Sequence, residues 1–334
     1  MLRNEGKGWQ MNLLQECRNT TRIGISGHIR PDGDCISSCL AVYGYLKKYM
    51  PENTYMKVYL EKPAAVFSEL KGFEEIVTDF PEEEAFDVFF IMDCGIERLG
   101  DARKYAETAK KKINIDHHIS NQGTGDINYI EPHVGSASEL VYDLIMQEKG
   151  EEGLDAELAK ILYTGMIHDT GVFQYSNTNQ KTMEAGAKLI SYGFDFPRLI
   201  EETFYQRTYL QTQVLGRALM ESIRFMDGNC IVSCIEKKHM DFYGATSQDF
   251  DGIVNQLRNI KGVHCAIFMY EIGNLEFKVS MRSDEMVNVA EVAGYFGGGG
   301  HMRAAGCTMQ GTFHDCVNNL SKYIEEQLKE KNLL

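Results

Sequence analysis

Short apolar segments alternate with helical segments through the first half of the chain, and this alternation most constrains its fold. Residues 21–28, 55–60, 87–93 and 111–118 predict strands, with helices over about 33–49 and 97–110. Apolar strands separated by helices are typical of a parallel, doubly wound sheet. In such sheets, ligands bind beyond the carboxyl ends of the strands.

Before the first strand, residues 1–17 predict an amphipathic lead-in. The second half of the chain is organised differently from the first. The later pattern predicts helices at 135–150, 155–166, after Thr182 and at 314–333, and strands at 230–236, 264–273 and 276–283. We therefore expect an α/β protein with a catalytic domain over 1–195 and a helical linker over 196–226. A smaller α/β domain with a mixed sheet follows over 227–334.

Acidic and imidazole side chains recur where the predicted strands and one helix end. They lie in four motifs: HIRPDGD (28–34), IMDCG (91–95), IDHH (115–118) and IHDTG (167–171). A single aspartate after a strand is most often a helix cap. The whole set, at successive strand ends, instead predicts a site for two divalent cations.

The chemistry of this set favours particular ions. Carboxylate and imidazole ligands without a thiolate favour Mn²⁺, with Mg²⁺ as the alternative, over structural zinc. Asp32, Asp34, Asp93 and Asp169 also balance the charge of two divalent ions. Two such ions would activate water for attack at phosphorus.

The residues beside the ligands have separate expected roles. Asp116 is expected to orient an imidazole, and His118 to contact the phosphate or protonate the leaving oxygen.

These motifs resemble the DHH phosphoesterase family, named for the triplet that stands here as Asp116–His117–His118. The resemblance implies that one metal is held by His28, Asp32 and Asp93. It implies that the other is held by Asp34, Asp93, His117 and Asp169, so that Asp93 bridges the two. The late segment GGGGHMRAAG (297–306) resembles the family's associated substrate domain.

The substrate contacts are expected in this second domain. A glycine run lets backbone amides approach an anion, and neighbouring cationic side chains add donors. The expected contacts are Arg282, Gly298, Gly299, Gly300, His301 and Arg303.

Net charge and composition limit the partners. The formal net charge is −14, which argues against coating of long nucleic acid and favours short phosphate substrates. The sequence predicts neither a membrane span nor a signal peptide, so we expect a cytoplasmic protein. The nine cysteines are expected to be reduced core residues. A homodimer is left open.

The resemblance extends to the small bacterial nanoRNases. It implies a 3′–5′ exoribonuclease-type hydrolase that converts very short RNAs to nucleoside 5′-monophosphates. It also implies a bisphosphate nucleotidase activity that converts 3′-phosphoadenosine 5′-phosphate (pAp) to AMP. The alternatives are a phosphodiesterase acting on cyclic di-AMP, pApA or pGpG, an inorganic pyrophosphatase, and a nucleotide-binding regulator without turnover.

Overall fold

The computed structural model describes residues 11–334, so the first ten residues of the predicted lead-in lie outside the described part. The chain divides into two compact units, one ending at Gln206 and the other spanning Arg207–Leu334. The predicted linker over 196–226 straddles this division, and its boundaries remain a proposal.

The first unit is built on a six-stranded parallel sheet. Its strands are β1 Arg22–Ser26, β2 Tyr55–Tyr59, β3 Ile76–Val77, β4 Val88–Met92, β5 Lys112–Asp116 and β6 Ile127–Ile130. Their order in the sheet is β3-β2-β1-β4-β5-β6. The carboxyl ends of the central strands β1, β4 and β5 therefore lie side by side.

Helices cover this sheet and build its cores. They are α1 Leu13–Glu16, α2 Gly33–Tyr49, α3 Arg103–Thr108, α4 Ala137–Lys149, α5 Ala156–Asp169, α6 Gln180–Ile190 and α7 Phe196–Ile200, followed by a π-helical turn Glu201–Tyr205. Alternate side chains of β4 enter different cores. Phe90 packs with the core around α2, α4 and α5, and Phe89 packs with a second core that contains Tyr105 of α3. The predicted doubly wound parallel sheet is confirmed.

One predicted helix is largely replaced by tighter turns. The segment expected to be helical over 97–110 forms two 3₁₀ turns, Ile96–Arg98 and Gly100–Ala102, before the short α3. Gly100 adopts a φ of 56°, and a Cβ there would lie 2.5 Å from Cγ2 of Ile29. The left-handed backbone at this close contact interrupts a regular helix.

The second unit contains a six-stranded mixed sheet. Its strands are β7 Ile223–Phe225, β8 Cys230–Ile235, β9 Cys265–Gly273, β10 Glu276–Ser283, β11 Gly299–His301 and β12 Ala304–Gln310. Their order is β11-β12-β10-β9-β8-β7, and the β8–β9 pair is parallel whereas the other four pairs are antiparallel. The predicted mixed sheet is confirmed.

Helices pack on both faces of this sheet. They are α8 Tyr209–Met220, α9 Lys237–Tyr243, α10 Ile253–Arg258, α11 Val289–Gly294 and α12 Phe313–Glu330. One core contains residues of α11 and α12, and the other contains residues of α8 and α10. Across residues 11–334, every helix is too short or too polar to cross a lipid bilayer.

Candidate metal centre

The residues that follow the three central strands converge at one edge of the first sheet. His28 comes two residues after β1, Asp93 directly follows β4, and Asp116 ends β5. These strands are neighbours in the order β1-β4-β5, so their carboxyl ends deliver the three side chains to one place. The site is thus assembled by the sheet topology rather than by nearness in sequence.

Asp93 lies at the centre of this cluster. Its backbone adopts a φ of 57°, a left-handed conformation that is costly for a residue with a side chain. Its Oδ2 lies 3.4 Å from Nε2 of His28, and its Oδ1 lies 3.5 Å from Nε2 of His117. The two oxygens of one buried carboxylate therefore face two different imidazoles.

Both imidazoles are oriented by backbone carbonyls. Nδ1 of His28 lies 2.9 Å from the oxygen of Ile29, and Nδ1 of His117 lies 3.3 Å from the oxygen of Val134. A carbonyl at Nδ1 favours the tautomer with its proton on that nitrogen. Nε2 of each ring is then a lone-pair donor directed at the carboxylates, as in metal-binding histidines.

The two aspartates of the first motif are held very differently. Asp32 caps α2, its Oδ1 accepting a hydrogen bond from the amide of Cys35, and its side chain is 62% exposed. Asp34 is buried, and its two oxygens accept hydrogen bonds from the amides of Ala137 and Ser138 at 2.7 and 2.9 Å. The first turn of α4 thus fixes Asp34 beneath the site.

Asp169 completes one side of the cluster from the end of α5. Its Oδ2 lies 3.2 Å from Nε2 of His117. Ligand atoms of Asp34, His117 and Asp169 all lie within 4.8 Å of one another, a spacing that a single cation can span. On the other side, His28 contacts Asp32 at 3.6 Å in addition to Asp93.

Crowded carboxylates make this cluster attract positive charge. Burial disfavours the imidazolium form of His117, but Asp93 and Asp169 outweigh it and raise its pKa to about 10. Burial, reinforced by Asp93 and Asp169, raises the pKa of Asp34 well above its usual range. Burial likewise raises the pKa of Asp169 to about 6. Cations that displace these protons would relieve the same repulsion.

Two buried polar atoms without hydrogen-bond partners indicate whether metal ions fit this cluster. Oδ1 of Asp93 and Nε2 of His117 are buried, and among the described residues neither has a hydrogen-bond partner. A buried polar atom without a partner costs about 1–3 kcal/mol. The two atoms lie 3.5 Å apart and are ligand types for divalent cations, so the residues present fit a metal centre.

His118 is held beside this centre by Asp116. Nδ1 of His118 lies 2.7 Å from Oδ1 of Asp116, and this hydrogen bond is the main cause of a raised His118 pKa. Asp116 is fully buried, and its Oδ2 accepts a hydrogen bond of 2.6 Å from Nδ2 of Asn121. His118 also lies within ligand distance of Asp93 and His117.

Sequence reasoning missed the amides that support Asp116. Asn121 also donates to Oδ1 of Asn114 at 2.9 Å, and buried Asn114 donates to the backbone oxygens of Ile91 and Cys94. These bonds tie the end of β4 to the loop after β5. A polar Asn within the apolar strand KINID was the available signal, because a buried amide requires partners.

His168 packs between the start of α2 and the end of the first unit. A Cβ on Gly33 would lie 2.3 Å from its ring, and Nε2 of His168 lies 3.1 Å from Oγ1 of Thr203. The rings of Phe67 and Phe204 flank it.

The expected substrate residues of the second unit share one end of its sheet. The glycine run is not simply a loop, because Gly299–His301 forms the edge strand β11. Ala304 of β12 pairs with His301 on one side and with Arg282 on the other, which places these two residues at the same level. Gly298 directly precedes β11, and Gly300 lies within it at a φ of 147°.

The two arginines already have partners. Arg303 forms an exposed ion pair of 3.3 Å with Glu285, and Nη1 of Arg282 donates to the oxygen of Met281 at 3.0 Å. The side chain of His301 lies outside the described part.

Comparison with protein families matches both units. Residues 22–166 match the DHH family, N-terminal domain, and residues 227–330 match the DHHA1 domain. The first match contains five of the six predicted metal ligands, and Asp169 lies three residues beyond it.

Curated relatives cover most of the chain. The protein from Bacillus subtilis named bifunctional oligoribonuclease and PAP phosphatase NrnA is 28% identical over 86% of this chain and 89% of its own length. Its namesake from Thermus thermophilus is 29% identical over 92% of this chain and 91% of its own.

A solved structure shares the architecture. The exopolyphosphatase-related protein from Bacteroides fragilis has a TM-score of 0.86 and 25% identity, covering 93% of this chain and 94% of that one. The structural similarity therefore covers both units.

Proposed function

Because the chain belongs to the DHH family, we propose that it is a metal-dependent phosphoesterase that hydrolyses very short oligoribonucleotides to nucleoside 5′-monophosphates and pAp to AMP. The relatives from B. subtilis and T. thermophilus, which carry these two activities in their names, support the choice of substrates. The chain covers about nine-tenths of each relative's length, so the likeness extends to both domains.

The observation that carries this proposal is the position of Asp93. Its oxygens face His28 on one side and His117 on the other, and Oδ1 has no hydrogen-bond partner in the described chain. In the proposed centre, His28, Asp32 and Asp93 would hold one Mn²⁺ ion, and Asp34, Asp93, His117 and Asp169 would hold the other.

The chain's own residues would position and protonate the substrate. When bound, the ions supply an activated water and neutralise charge on the phosphoryl oxygens. Asp116 fixes the ring of His118 through Nδ1 at 2.7 Å, so His118 would present a proton on Nε2 to the leaving oxygen. Burial of Asp116 and its bond from Asn121 hold this ring in one orientation.

The second domain would hold the rest of the nucleotide. Arg282 and His301 lie at the same level of the sheet, on the two strands that flank β12, which supports a substrate site at this end of the sheet. Guanidinium groups and exposed amides are both donors for phosphate. We assign substrate contacts to Arg282, His301, Arg303 and Gly298–Gly300. Arg282→Ala should raise KM more than it lowers kcat.

Product analysis tests this function directly. The protein is incubated with pAp, pApA, pGpG, cyclic di-AMP, RNAs of two to five nucleotides and a longer RNA, each with Mn²⁺ and with Mg²⁺. We expect AMP from pAp and nucleoside 5′-monophosphates from the short RNAs, with little action on the longer one. Asp93→Ala controls for contaminating nucleases.

Other outcomes would assign the protein elsewhere. Preferential cleavage of cyclic di-AMP or pGpG would make it a dinucleotide phosphodiesterase on the same scaffold. Binding of nucleotides without turnover, at full occupancy by metal ions, would make it a regulatory protein and contradict our proposal.

A further inference from the structure

A cysteine forms part of the wall of the proposed metal centre. Cys35 lies in the first turn of α2 and is fully buried. Its Sγ, a ring nitrogen of His28 and a carboxylate oxygen of Asp93 all lie within 4.8 Å of one another. The same thiol lies 3.9 Å from the backbone oxygen of His28. From the sequence, Cys35 is expected only to be a reduced core residue.

The carboxylate of Asp93 connects this group to the other half of the centre. Asp93 is 2% exposed, and its Oδ1, which faces His117, lacks a hydrogen-bond partner within the described chain. Nε2 of His28 lies 3.4 Å from the other oxygen of this carboxylate. A buried carboxylate and an oriented imidazole therefore already face the space that the thiol borders.

Asp32 is a weaker candidate ligand for the same cation than the family resemblance suggests. Its side chain is 62% exposed, and one of its oxygens is engaged by the amide of Cys35. Cys35, in contrast, is fixed by the helix and by contact with the end of β1. A Cβ on Gly27 would lie 2.3 Å from its Sγ, so the glycine is needed for this close approach.

We propose that His28, Cys35 and Asp93 form a binding site for a thiophilic divalent cation, zinc above all, in one half of the metal centre. Imidazole, thiolate and carboxylate are the three ligand types of zinc sites, and a fourth position stays open for water. Mn²⁺ prefers oxygen ligands and gains less from the sulfur. When Zn²⁺ binds, Sγ of Cys35 loses its proton to solvent and forms a bond to the ion.

The consequence is inhibition of the proposed hydrolase by zinc. Zinc held by sulfur would exclude Mn²⁺ from this half of the centre. The inference rests on the cation centre of the proposed function, but it is tested by the bonds to zinc and not by turnover.

X-ray absorption at the zinc edge of the wild-type protein gives the direct test. One equivalent of Zn²⁺ is added to the metal-free full chain, and we expect one sulfur neighbour at about 2.3 Å together with nitrogen and oxygen neighbours. Co²⁺ added in place of zinc should give a sulfur-to-cobalt charge-transfer band. A zinc shell of nitrogen and oxygen alone would overturn the proposal, whether or not any variant folds.

A matched pair of variants identifies the sulfur. Cys35→Ser should abolish the cobalt band and weaken Zn²⁺ binding by at least about tenfold, because even loss of a residue that only supports a ligand costs about 10–100-fold in metal affinity. Cys39→Ser is the control. Cys39 is equally buried one turn further along α2 and, among the described residues, belongs to none of the possible ligand groups, so it should keep the band. Persistence of the band in Cys35→Ser would refute the assignment.

Turnover with Mn²⁺, measured on zinc-free wild-type protein from the same preparation, separates the two proposals. Mn²⁺-dependent hydrolysis without a zinc–sulfur bond would remove only the thiol site. Failure to bind either metal would remove the proposed function as well.

Discussion

Gly165 of α5 allows the close approach that holds Asp34 in place. A Cβ at this position would lie 1.9 Å from Oγ of Ser138 and 2.7 Å from Oδ1 of Asp34. The same oxygen of Asp34 accepts the hydrogen bond from the amide of Ser138. Gly165→Ala must therefore push apart α4, α5 and the carboxylate that they enclose.

The expected loss of stability follows from three terms. Alanine in place of glycine within a helix normally stabilises the fold by about 1 kcal/mol. Overpacking a dense core costs about 1–3 kcal/mol, and each buried amide left without Asp34 costs about 1–3 kcal/mol. The Cβ crowds Oδ1 of Asp34, so the bond from the amide of Ser138 is lost. The steric terms then outweigh helix propensity, and we expect a net decrease of about 1–5 kcal/mol in the free energy of unfolding.

Gly44→Ala is the matched control. Gly44 lies within α2, and the nearest atom to a Cβ there would be Cδ1 of Leu158 at 3.9 Å, an ordinary contact. Since only helix propensity changes, this variant should gain up to about 1 kcal/mol. Urea unfolding of the metal-free proteins, followed by circular dichroism, measures both differences.

Calorimetric titration with Mn²⁺ completes the experiment. Gly165→Ala should bind Mn²⁺ more weakly than wild type because Asp34 is displaced, whereas Gly44→Ala should bind it normally. If Gly165→Ala were as stable as Gly44→Ala and bound Mn²⁺ like wild type, Asp34 would not be enclosed as described, and its role as a ligand would lose its structural basis.

Three further predictions concern single side chains. Asp93→Ala should abolish turnover and reduce Mn²⁺ binding at both halves of the centre in calorimetry; a near-normal rate would refute the bridge. His118→Ala should lower kcat by about 10²–10⁴-fold with metal content intact, since it removes only a proton donor; loss of metal in elemental analysis would show that His118 is a ligand. The third prediction concerns Asp87 and the stability of the protein in acid. Lys110 and the amides of Thr21 and Arg22 hold the pKa of Asp87 below the usual range. The stabilisation from Asp87 is therefore complete above the ordinary carboxyl pKa, and it is lost as the pH falls through the lower pKa of the folded state. The difference in unfolding free energy between wild type and Asp87→Asn should therefore shrink below about pH 4, and a pH-independent difference would contradict this.

The fold was predictable where local signals agreed with the packing. Helix α2 begins and ends where the sequence predicts, at Gly33 and Tyr49, because Asp32 supplies a cap and the intervening face is apolar. Parallel strands were predictable for a similar reason, since continuous apolar runs such as VFFIM are buried on both faces. The predicted ends of these strands are therefore enough to locate the candidate site.

The glycine run shows where local signals fail. Four successive glycines have no side-chain period, so the sequence indicates only a permissive backbone. Half of the run nevertheless forms β11, because Gly299 and Gly300 pair with Gly306 and Ala305 of β12. A Cβ on Gly298 would lie 2.2 Å from the backbone oxygen of Gly306, so the glycines permit close pairing as well as flexibility.

The detailed differences among the site residues arise from contacts between distant parts of the chain. Asp32 and Asp34 are equivalent in sequence, two carboxylates flanking one glycine. Asp34 becomes a rigid, buried group because amides more than a hundred residues later donate to both of its oxygens. Asp32 caps its own helix and stays exposed. Cys35, three residues after Asp32, turns inward to the same carboxylate that both metals would share. Spacing identified which residues gather at the strand ends, but only tertiary contacts decide which of them are held in place, and hence which cation each half of the centre can select.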